Sequence, residues 1–548
     1  MIDVSTIDGL MLREMVLAGT ALLEKNREKV DALNVFPVPD GDTGTNMSLT
    51  MASAVREVNA KEYANAGEAA GALAKGALRG ARGNSGVITS QLYRGFARAL
   101  DGVDAITPVQ FAAALKKGAE TAYKAVMRPK EGTILTVARV IAEEAVKQAE
   151  REPDNYDALF ENILSTGEAI LERTPDMLPV LKQAGVVDAG GRGLMLIYSG
   201  YAAVLRGESI DTAAEQAEAR EQAEQAQQAM TWAASAYTYG VRYTIFHIGK
   251  KATQSDIDLL KRQLNRIGDG VAIEGDLKKL SVRVQTNDPG KALQYGQILG
   301  DLTDFELLNL KAAEQPEEEA PAEAEEQKEK KPYAMITVSM GEGFSTIFKD
   351  LAIDAIVEGG QTMNPSIEDL AKAIESVSAE NVFIFPNNGN VILAAQQAAE
   401  MSDSNAIVIP TKNVAMGIAA AVAFQPDLSA DENAQKMQEA AERVRTATIT
   451  YAVRDSEFEE LHIKQGDIIG LANGKVAEKG DSIHDVAVSL TDQIVTEDDS
   501  LITLYYGADT TEASARSLAD EFVERYPDCD VDVQYGGQPL YYYLIAVE

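Results

Sequence analysis

The sequence predicts a multidomain protein with an all-helical N-terminal domain, a small α+β middle domain and an α/β C-terminal domain. Three observations support this prediction. At 548 residues the chain is too long for a single hydrophobic core. Apolar residues recur at helical spacing up to about residue 205, and strand-like alternation begins only at about residue 237. Between these parts, and again near residue 320, the chain is rich in Glu and Ala and has few large apolar residues.

The domain boundaries follow from these changes of pattern. Strands and helices alternate in the middle part, which is typical of a ferredoxin-like domain. Short apolar strands such as "NVFIFP" and "AIVIP" alternate with helices near the end, which predicts one or two α/β layers with a mostly parallel sheet. The predicted parts are the helical domain 1–205, a helical spacer 206–236, the middle domain 237–310, an acidic flexible linker 311–332 and the α/β domain 333–548.

The charge and composition exclude several classes of protein. Acidic residues outnumber basic ones 85 to 50, for a formal charge of -35, so binding to nucleic acid or anionic lipid through bulk electrostatics is not expected. The single cysteine, Cys529, allows neither an intrachain disulfide nor a cysteine-based zinc cluster. The first residues lack a basic n-region, and apolar runs such as 415–424 are too short to cross a bilayer. We therefore expect a cytoplasmic protein without stable membrane insertion.

The segment "NVFPVPDGDTGTNM", residues 34–47, places Asp40 and Asp42 beside each other just before a helix. Such a segment forms either a simple turn, since Asp, Gly and Pro all favour turns, or a magnesium site. In the second case Thr45 and Asn46 supply further oxygens. A calcium EF-hand loop does not fit, because Gly44 occupies the third ligand position.

A second segment, "RGARGNSGVITSQL", precedes another predicted helix with glycines three residues apart. Glycine loops at helix N-termini present free N–H groups to anions such as phosphate, although small residues also allow close helix packing. The segments 131–137 and 186–193 repeat this loop-to-helix pattern, and the common nucleotide-binding signatures are absent. Together these loops and the paired aspartates favour magnesium and a nucleotide bound on a helical scaffold.

Four segments of the first domain, "LNVFPVPDGDTGTNM", "GARGNSGVI", "PKEGTILTV" and "VVDAGGRGL", resemble the nucleotide-binding subunit of bacterial dihydroxyacetone kinases in order and spacing. The domain order resembles the fatty acid kinase A family more closely, with "GGQTMNPS", "FPNNGNVILAA" and "GGQPLYYYLIAVE" similar to DegV-type proteins. The resemblance covers nearly the whole chain. It implies a helical-barrel kinase domain followed by a DegV-like C-terminal domain.

The resemblance also implies roles for individual residues. Asp40 and Asp42 would hold the magnesium ions that bridge the ATP phosphates, with Asn34 as a substitute for a third aspartate whose place is taken by Val35. Asp188 and Gly190 match an adenine-side loop, here Asp-Ala-Gly instead of Asp-Pro-Gly. The other residues that match nucleotide contacts are Thr43 (a histidine in the dihydroxyacetone kinase protein), Gly44, Thr45, Asn46, Asn84, Ser85, Gly132 and Thr133.

The middle domain departs from its family. Some fatty acid kinases hold a metal there with one Cys and two His, where this chain has Arg242, Arg283 and Gln285. We therefore predict no structural zinc. His247 is nearby, but a lone histidine is more often a core or surface residue than a ligand.

The implied activity is ATP-dependent phosphorylation of a fatty acid, with two magnesium ions and a separate DegV-type fatty-acid-binding protein that presents the substrate. All three histidines lie outside the helical domain, and a carboxylic acid with a pKa of about 4–5 needs no general base at neutral pH. Arg82 and Arg192 are candidates to stabilise the developing charge. The linker would let the C-terminal domain recruit the carrier. The resemblance is also compatible with a homodimer as the oligomeric state.

Two other functions remain open from the sequence. One is a dihydroxyacetone-type small-molecule kinase, although the domain that carries that enzyme's covalent substrate histidine is absent here. The other is a non-catalytic nucleotide-bound scaffold whose C-terminal domain senses a lipid. ATP consumption that depends on both a fatty acid and a carrier distinguishes the kinase from these alternatives.

Overall fold

The computed structural model describes residues 5–34, 41–208, 239–246, 254–276, 279–309, 330–360, 363–453, 456–458 and 461–548. The predicted fold class is confirmed: a helical domain, a small α+β domain and an α/β domain follow one another along the chain. The chain forms two compact units, Met1–Ala214 together with Glu329–Glu548, and Glu215–Lys328. The N-terminal and C-terminal domains thus belong to one unit, which the sequence pattern did not predict.

The described part of the N-terminal domain contains eleven helices. Eight of them form a closed ring in the order α1, α3, α4, α5, α6, α7, α8 and α11, with α11 packed against α1. The helices are α1 (Gly9–Lys25), α2 (Arg27–Asp31), α3 (Thr43–Asn59), α4 (Ala66–Arg79), α5 (Gly83–Ala99), α6 (Pro108–Ala125), α7 (Ile134–Arg151), α8 (Tyr156–Glu172), α9 (Thr174–Met177), α10 (Pro179–Ala184) and α11 (Ala189–Leu205).

Local sequence explains where these helices begin and which face is buried. Thr107 and Gln110 form a capping box at the start of α6, and Asn65 caps α4 by accepting a hydrogen bond from the N–H of Glu68. Phe111 of α6 is fully buried and packs edge-on against Phe96 at 5.3 Å between ring centroids. The apolar stripes of the ring helices thereby close a common core.

The middle unit has the topology predicted for it. In its described residues four antiparallel strands have the order β2-β3-β1-β4, and two helices alternate with them in the βαββαβ succession of a ferredoxin-like domain. Arg242 and Arg283 occupy opposite positions on β1 and β3, whereas His247 lies outside the described residues. The elements are β1 (Tyr239–Phe246), α12 (Gln254–Ile267), β2 (Gly268–Asp276), β3 (Lys279–Thr286), α13 (Pro289–Gln297) and β4 (Asp301–Asn309).

The C-terminal domain contains two main sheets. The first is wholly parallel with the order β6-β5-β7-β8, and the second is mixed with the order β13-β12-β9-β16-β14-β15. The strands are β5 (Lys331–Ser339), β6 (Ala355–Glu358), β7 (Ala379–Phe385), β8 (Asn405–Val408), β9 (Arg445–Tyr451), β10 (Ser456–Phe458), β11 (Leu461–Ile463), β12 (Ile468–Ala472), β13 (Lys475–Gly480), β14 (Leu501–Tyr506), β15 (Asp530–Tyr535) and β16 (Tyr543–Val547). The helices are α14 (Glu342–Asp350), α15 (Ile367–Ser376), α16 (Ile392–Met401), α17 (Val414–Val422), α18 (Ala430–Arg443), α19 (Ile483–Ile494) and α20 (Glu512–Arg525).

The helical domain packs directly against the first sheet's helices. Helix α15 contacts α4 and helix α16 contacts α5. Ala81 and Val87 of the helical domain are fully buried in the same hydrophobic cluster as Ile367. Within this contact the buried Gln91 donates a hydrogen bond of 2.7 Å from Nε2 to Oε1 of Gln397. An interface with a shared core and a satisfied buried polar pair is typical of parts that move as one.

Candidate functional site

The N-terminus of α3 carries the described part of the paired-aspartate segment. Asp42 is the N-cap residue of α3, and its carboxylate makes no capping bond to the helix. Instead Asp31, at the end of α2, accepts hydrogen bonds from the N–H of Thr45 at 3.1 Å and from its hydroxyl at 2.8 Å. Asp31 therefore performs the capping that Asp42 does not, so the start of α3 does not depend on the Asp42 carboxylate.

The N-terminus of α5 lies beside that of α3. The Ser85 hydroxyl donates to the carbonyl of Thr43 at 3.5 Å. Gly83 has a positive φ of 57°, and a Cβ added there would lie 2.4 Å from Nδ2 of Asn46. Asn46 is buried with 3% of its surface exposed. The glycine loop thus brings α5 close to the polar side chains at the start of α3.

The other two loop-to-helix segments also meet. Asp188 caps α11 by accepting a hydrogen bond of 2.7 Å from the N–H of Gly191, and the N–H of Ile134 at the start of α7 also lowers the pKa of its carboxyl. A Cβ added to Gly190 would lie 3.2 Å from Cβ of Ile134. Thr133 is the N-cap residue of α7, and the N–H of the preceding Gly132 donates to Oγ1 of Thr136 at 2.9 Å.

These contacts place four helix N-termini at one end of the ring. Ser85 and Thr43 join α5 to α3, and Gly190 brings the start of α11 against Ile134 at the start of α7. Helices α3 and α11 meet one turn from their starts, where a Cβ on Gly193 would lie 2.7 Å from the Met47 sulfur. The positive ends of four helix dipoles, with the first-turn N–H groups that no capping carboxylate engages, create a site suited to a polyanion, despite the chain's acidic charge.

The two candidate arginines have protein partners. Arg82 donates from Nη1 to the carbonyl of Asn364 at 2.7 Å, and its Nη2 lies 3.4 Å from Oδ2 of Asp369. Arg192 pairs with Glu168 of α8 at 2.8 Å. Asn84 donates to Oδ1 of Asn390 at 3.2 Å. Arg82 and Asn84 thus contact the C-terminal domain, and the proposed role of Arg82 and Arg192 in charge stabilisation stays a prediction.

The residues that could hold a metal ion are oxygen donors. Asp40 lies outside the described residues, and the described ones include no group of three His, Cys, Asp or Glu side chains arranged for a metal. Magnesium needs only one or two carboxylates, with water and phosphate oxygens for the rest, so this donor set fits magnesium. Asn34 lies close to Gly41, the residue before Asp42, since a Cβ on Gly41 would be 3.8 Å from its Nδ2.

Sequence patterns missed two residues of this site. Asp31 is the last residue of a short helix, and no sequence pattern identifies an acidic residue at that position as part of a site. Asn364 belongs to the C-terminal domain, yet its Nδ2 donates to Oδ2 of Asp42 at 2.5 Å. The segment "GGQTMNPS" around Asn364 stood out by its resemblance to DegV-type proteins, but no spacing rule connects it with residue 42.

Comparison with known proteins agrees with this architecture. Residues 37–203 match a family model described as DAK2 domain, and residues 236–317 and 334–548 match the models of the middle and C-terminal domains of fatty acid kinase A-like proteins. Protein YloV of Bacillus subtilis is 40% identical over 100% of both chains, and an uncharacterized protein of Staphylococcus aureus strain USA300 is 38% identical over 100% of both. The chain belongs to the fatty acid kinase A-like family.

Two solved structures similar to this fatty acid kinase A-like chain are DegV proteins. A DegV family protein from Corynebacterium glutamicum, Cg2579, is 15% identical over 40% of this chain and 97% of its own, with a TM-score of 0.32. DegV from Bacillus subtilis, a fatty acid binding protein, is 14% identical over 40% of this chain and 99% of its own, also at 0.32. Scores at this level establish no functional property. Among the described helices of this family member, none combines the length and apolarity that a membrane span requires.

The buried carboxyl of Asp188, which caps α11, leads us to expect that the free energy of unfolding of this family member depends on pH. Burial raises the pKa of Asp188 to about 6 from its ordinary value of 3.8, although N–H groups of Gly191 and Ile134 lower it in part. The folded state therefore binds the proton more tightly than the unfolded state. This stabilisation is complete below about pH 4 and is lost as pH rises through about 6, by up to about 3 kcal/mol. Asp188→Asn should abolish that change.

Urea unfolding of the wild-type protein and Asp188→Asn between pH 4 and 7.5 tests this expectation. The free energy of unfolding of the wild type, minus that of the variant, should fall between about pH 4 and 6 and stay constant above about pH 7. Parallel curves for the two proteins would show that the Asp188 carboxyl titrates normally.

Proposed function

We propose that the protein transfers the γ-phosphoryl group of ATP to the carboxylate of a fatty acid that a separate fatty-acid-binding protein presents. The observation that carries this proposal is the meeting of four helix N-termini at the end of the ring that bears Asp42. A triphosphate on an acidic protein needs such a local concentration of N–H donors. Membership of the fatty acid kinase A-like family supports the nature of the acceptor.

The nucleotide would be held by the residues that the four loops bring together. N–H groups at the starts of α3 and α5, with Thr43, Gly44, Thr45, Asn46, Asn84 and Ser85, would contact the phosphates. Gly132 and Thr133 would lie between the phosphates and an adenine-side pair of Asp188 and Gly190. Asp40, Asp42 and Asn34 would ligate magnesium, which would neutralise the negative charge of the phosphates.

The acceptor chemistry requires little from the helical domain beyond positioning. A carboxylate oxygen forms a bond to the γ-phosphorus while the bond to the leaving oxygen of ADP breaks, and no proton has to be removed. The helical domain contains no histidine, which agrees with an acceptor that is already ionised. The oriented N–H groups stabilise charge that spreads over the transferred oxygens.

Delivery by a carrier answers the problem of solubility. A free long-chain acid is poorly soluble in water because of its apolar surface, so a protein that shields the chain and exposes the carboxyl end is the suitable donor of substrate. The contact of the helical and α/β domains places the latter's residues 364–369 beside Arg82 and the start of α3. A carrier that docks on the C-terminal domain could therefore reach the phosphoryl-transfer site.

A reconstituted assay tests the proposal. Purified protein is mixed with Mg²⁺, ATP, oleate and a DegV-type carrier, and each component is omitted in turn. We expect ATP consumption only in the complete mixture, together with an acyl phosphate that hydroxylamine traps as a hydroxamate. ATP consumption with dihydroxyacetone and no carrier would instead indicate a small-molecule kinase. Nucleotide binding without consumption under any of these conditions would indicate a non-catalytic scaffold.

A further inference from the structure

A segment of the C-terminal domain packs against the starts of α3 and α5 in the helical domain. Residues 364–367 run alongside residues 81–82, with an antiparallel bridge between Arg82 and Ser366 and a hydrogen bond of 3.1 Å from the N–H of Ile367 to the carbonyl of Ala81. Arg82 donates to the carbonyl of Asn364 at 2.7 Å. These main-chain contacts fix the position of the Asn364 backbone relative to the start of α5.

The Asn364 side chain is buried against the acidic end of the site. Only 1% of its surface is exposed. Its Nδ2 donates to Oδ2 of Asp42 at 2.5 Å and lies 3.5 Å from Oδ1 of Asn46. A Cβ on Gly83 would lie 3.3 Å from the same Nδ2. Asn364 thus fills the space between the starts of α3 and α5.

The Oδ1 atom of Asn364 is buried without a hydrogen-bond partner among the described residues. An unsatisfied buried amide oxygen costs about 1–3 kcal/mol, so a purely structural contact would favour a different side chain. An apolar side chain of similar shape would avoid that cost but could not donate a hydrogen bond to Asp42. The amide therefore contributes something that packing does not require.

We propose that Asn364 is a positioning residue that the C-terminal domain supplies to the metal–nucleotide site. Its Nδ2–H would hold the Asp42 carboxylate in the orientation needed to ligate the cation, and its unpaired Oδ1 would be a further acceptor at that site. Hydrogen bonds that orient metal ligands are worth about 10- to 100-fold in metal affinity. This inference rests on the proposed function, because it takes Asp42 to be a magnesium ligand.

The site is then complete only when the two domains are packed together. The acidic ligands belong to the helical domain, and the group that orients one of them belongs to the C-terminal domain. If Asn364 had only a structural role, replacing it would have the same effects as replacing another buried polar residue of the same interface. Gln397 is such a contact, since it pairs with Gln91 and is itself 6% exposed.

The test compares Asn364→Ala and Gln397→Ala in the full-length protein. The measurement is the Mg²⁺ concentration that half-saturates binding of a fluorescent ATP analogue, together with the midpoint of thermal unfolding. We expect Asn364→Ala to raise that Mg²⁺ concentration about 10- to 100-fold. Gln397→Ala should leave it within about threefold of wild type, even where the unfolding midpoint falls. Equal Mg²⁺ requirements in wild type and Asn364→Ala, or equal increases in both variants, would overturn the proposal.

Two further measurements keep the outcome decisive. Asn364→Leu preserves the shape of the side chain without the amide and should therefore fold. If Asn364→Ala does not fold, the raised Mg²⁺ requirement is measured on Asn364→Leu instead. The wild type could bind the nucleotide only with Mg²⁺ while the Asn364 variants show an unchanged Mg²⁺ requirement. That result would refute the positioning role and leave the proposed function standing. A wild type that shows no Mg²⁺-dependent nucleotide binding would refute both.

Discussion

Replacing Asp42 with asparagine should lower the rate of acyl phosphate formation by about 10²–10³-fold, the loss typical of removing one preorganised charge-stabilising group. The change keeps the shape of the side chain, and its amide oxygen can still accept the hydrogen bond from Asn364. It removes the negative charge that a magnesium ion needs from this ligand. The rate is measured in the reconstituted assay at saturating ATP, oleate and carrier.

The matched control is Asp101→Asn, which removes one negative charge from an exposed position of the same domain. We expect this variant to keep the wild-type rate within about twofold, since surface substitutions away from special contacts have small effects. Thermal unfolding of Asp42→Asn should stay close to that of the wild type. A rate for Asp42→Asn that matches the control would exclude Asp42 as an essential ligand.

Replacing Gly83 with alanine should destabilise the helical domain by about 2–4 kcal/mol. Its φ of 57° lies in the region that favours glycine, and the new Cβ would lie 2.4 Å from Nδ2 of the buried Asn46. Backbone strain and overpacking each cost about 1–3 kcal/mol. Because Asn46 and Asn364 must shift to accommodate the Cβ, nucleotide affinity should fall at least about tenfold as well.

Gly102→Ala separates the two causes. Gly102 also has a positive φ, 71°, but a Cβ there would have no atom within 4 Å. We expect it to cost about 1 kcal/mol of unfolding free energy and to leave nucleotide affinity unchanged. Urea unfolding and titration with a fluorescent ATP analogue measure both quantities. Equal losses of stability in the two variants would mean that the contact with Asn46 has no energetic weight.

The fold was largely predictable because its signals are local. Helical spacing of apolar residues and the alternation of Ala334, Met335 and Ile336 between two faces of a strand depend on neighbours in the chain. The β2 and β4 strands of the middle domain were not predicted as separate elements. Both flank the central strands at the sheet's edges, where weaker alternation suffices because packing is less demanding.

Sequence patterns indicated parts of the candidate site only where those parts lie at helix starts. Glycine and aspartate next to an apolar run indicate the N-terminus of a helix, and four helix N-termini indicated in this way lie at one end of the ring. Asn364 and Asp42 are 322 positions apart in the sequence. A contact between residues so far apart produces no periodic pattern in the sequence. The charge of Arg82 beside a glycine loop marks it as a candidate, but its contacts with Asn364 and Asp369 depend on the same long-range packing.

The union of the first and last domains in one unit also bears on how the protein is made. At about 5–20 residues per second, a ribosome takes roughly 16–64 s to add the 322 residues that separate Asp42 from Asn364. During that interval the nascent helical domain lacks the partner that later covers Ala81, Val87 and Gln91. An apolar surface left open on a nascent chain is a target for chaperones and a cause of aggregation. Expression of this protein should therefore respond to chaperone supply more than a domain with local contacts would.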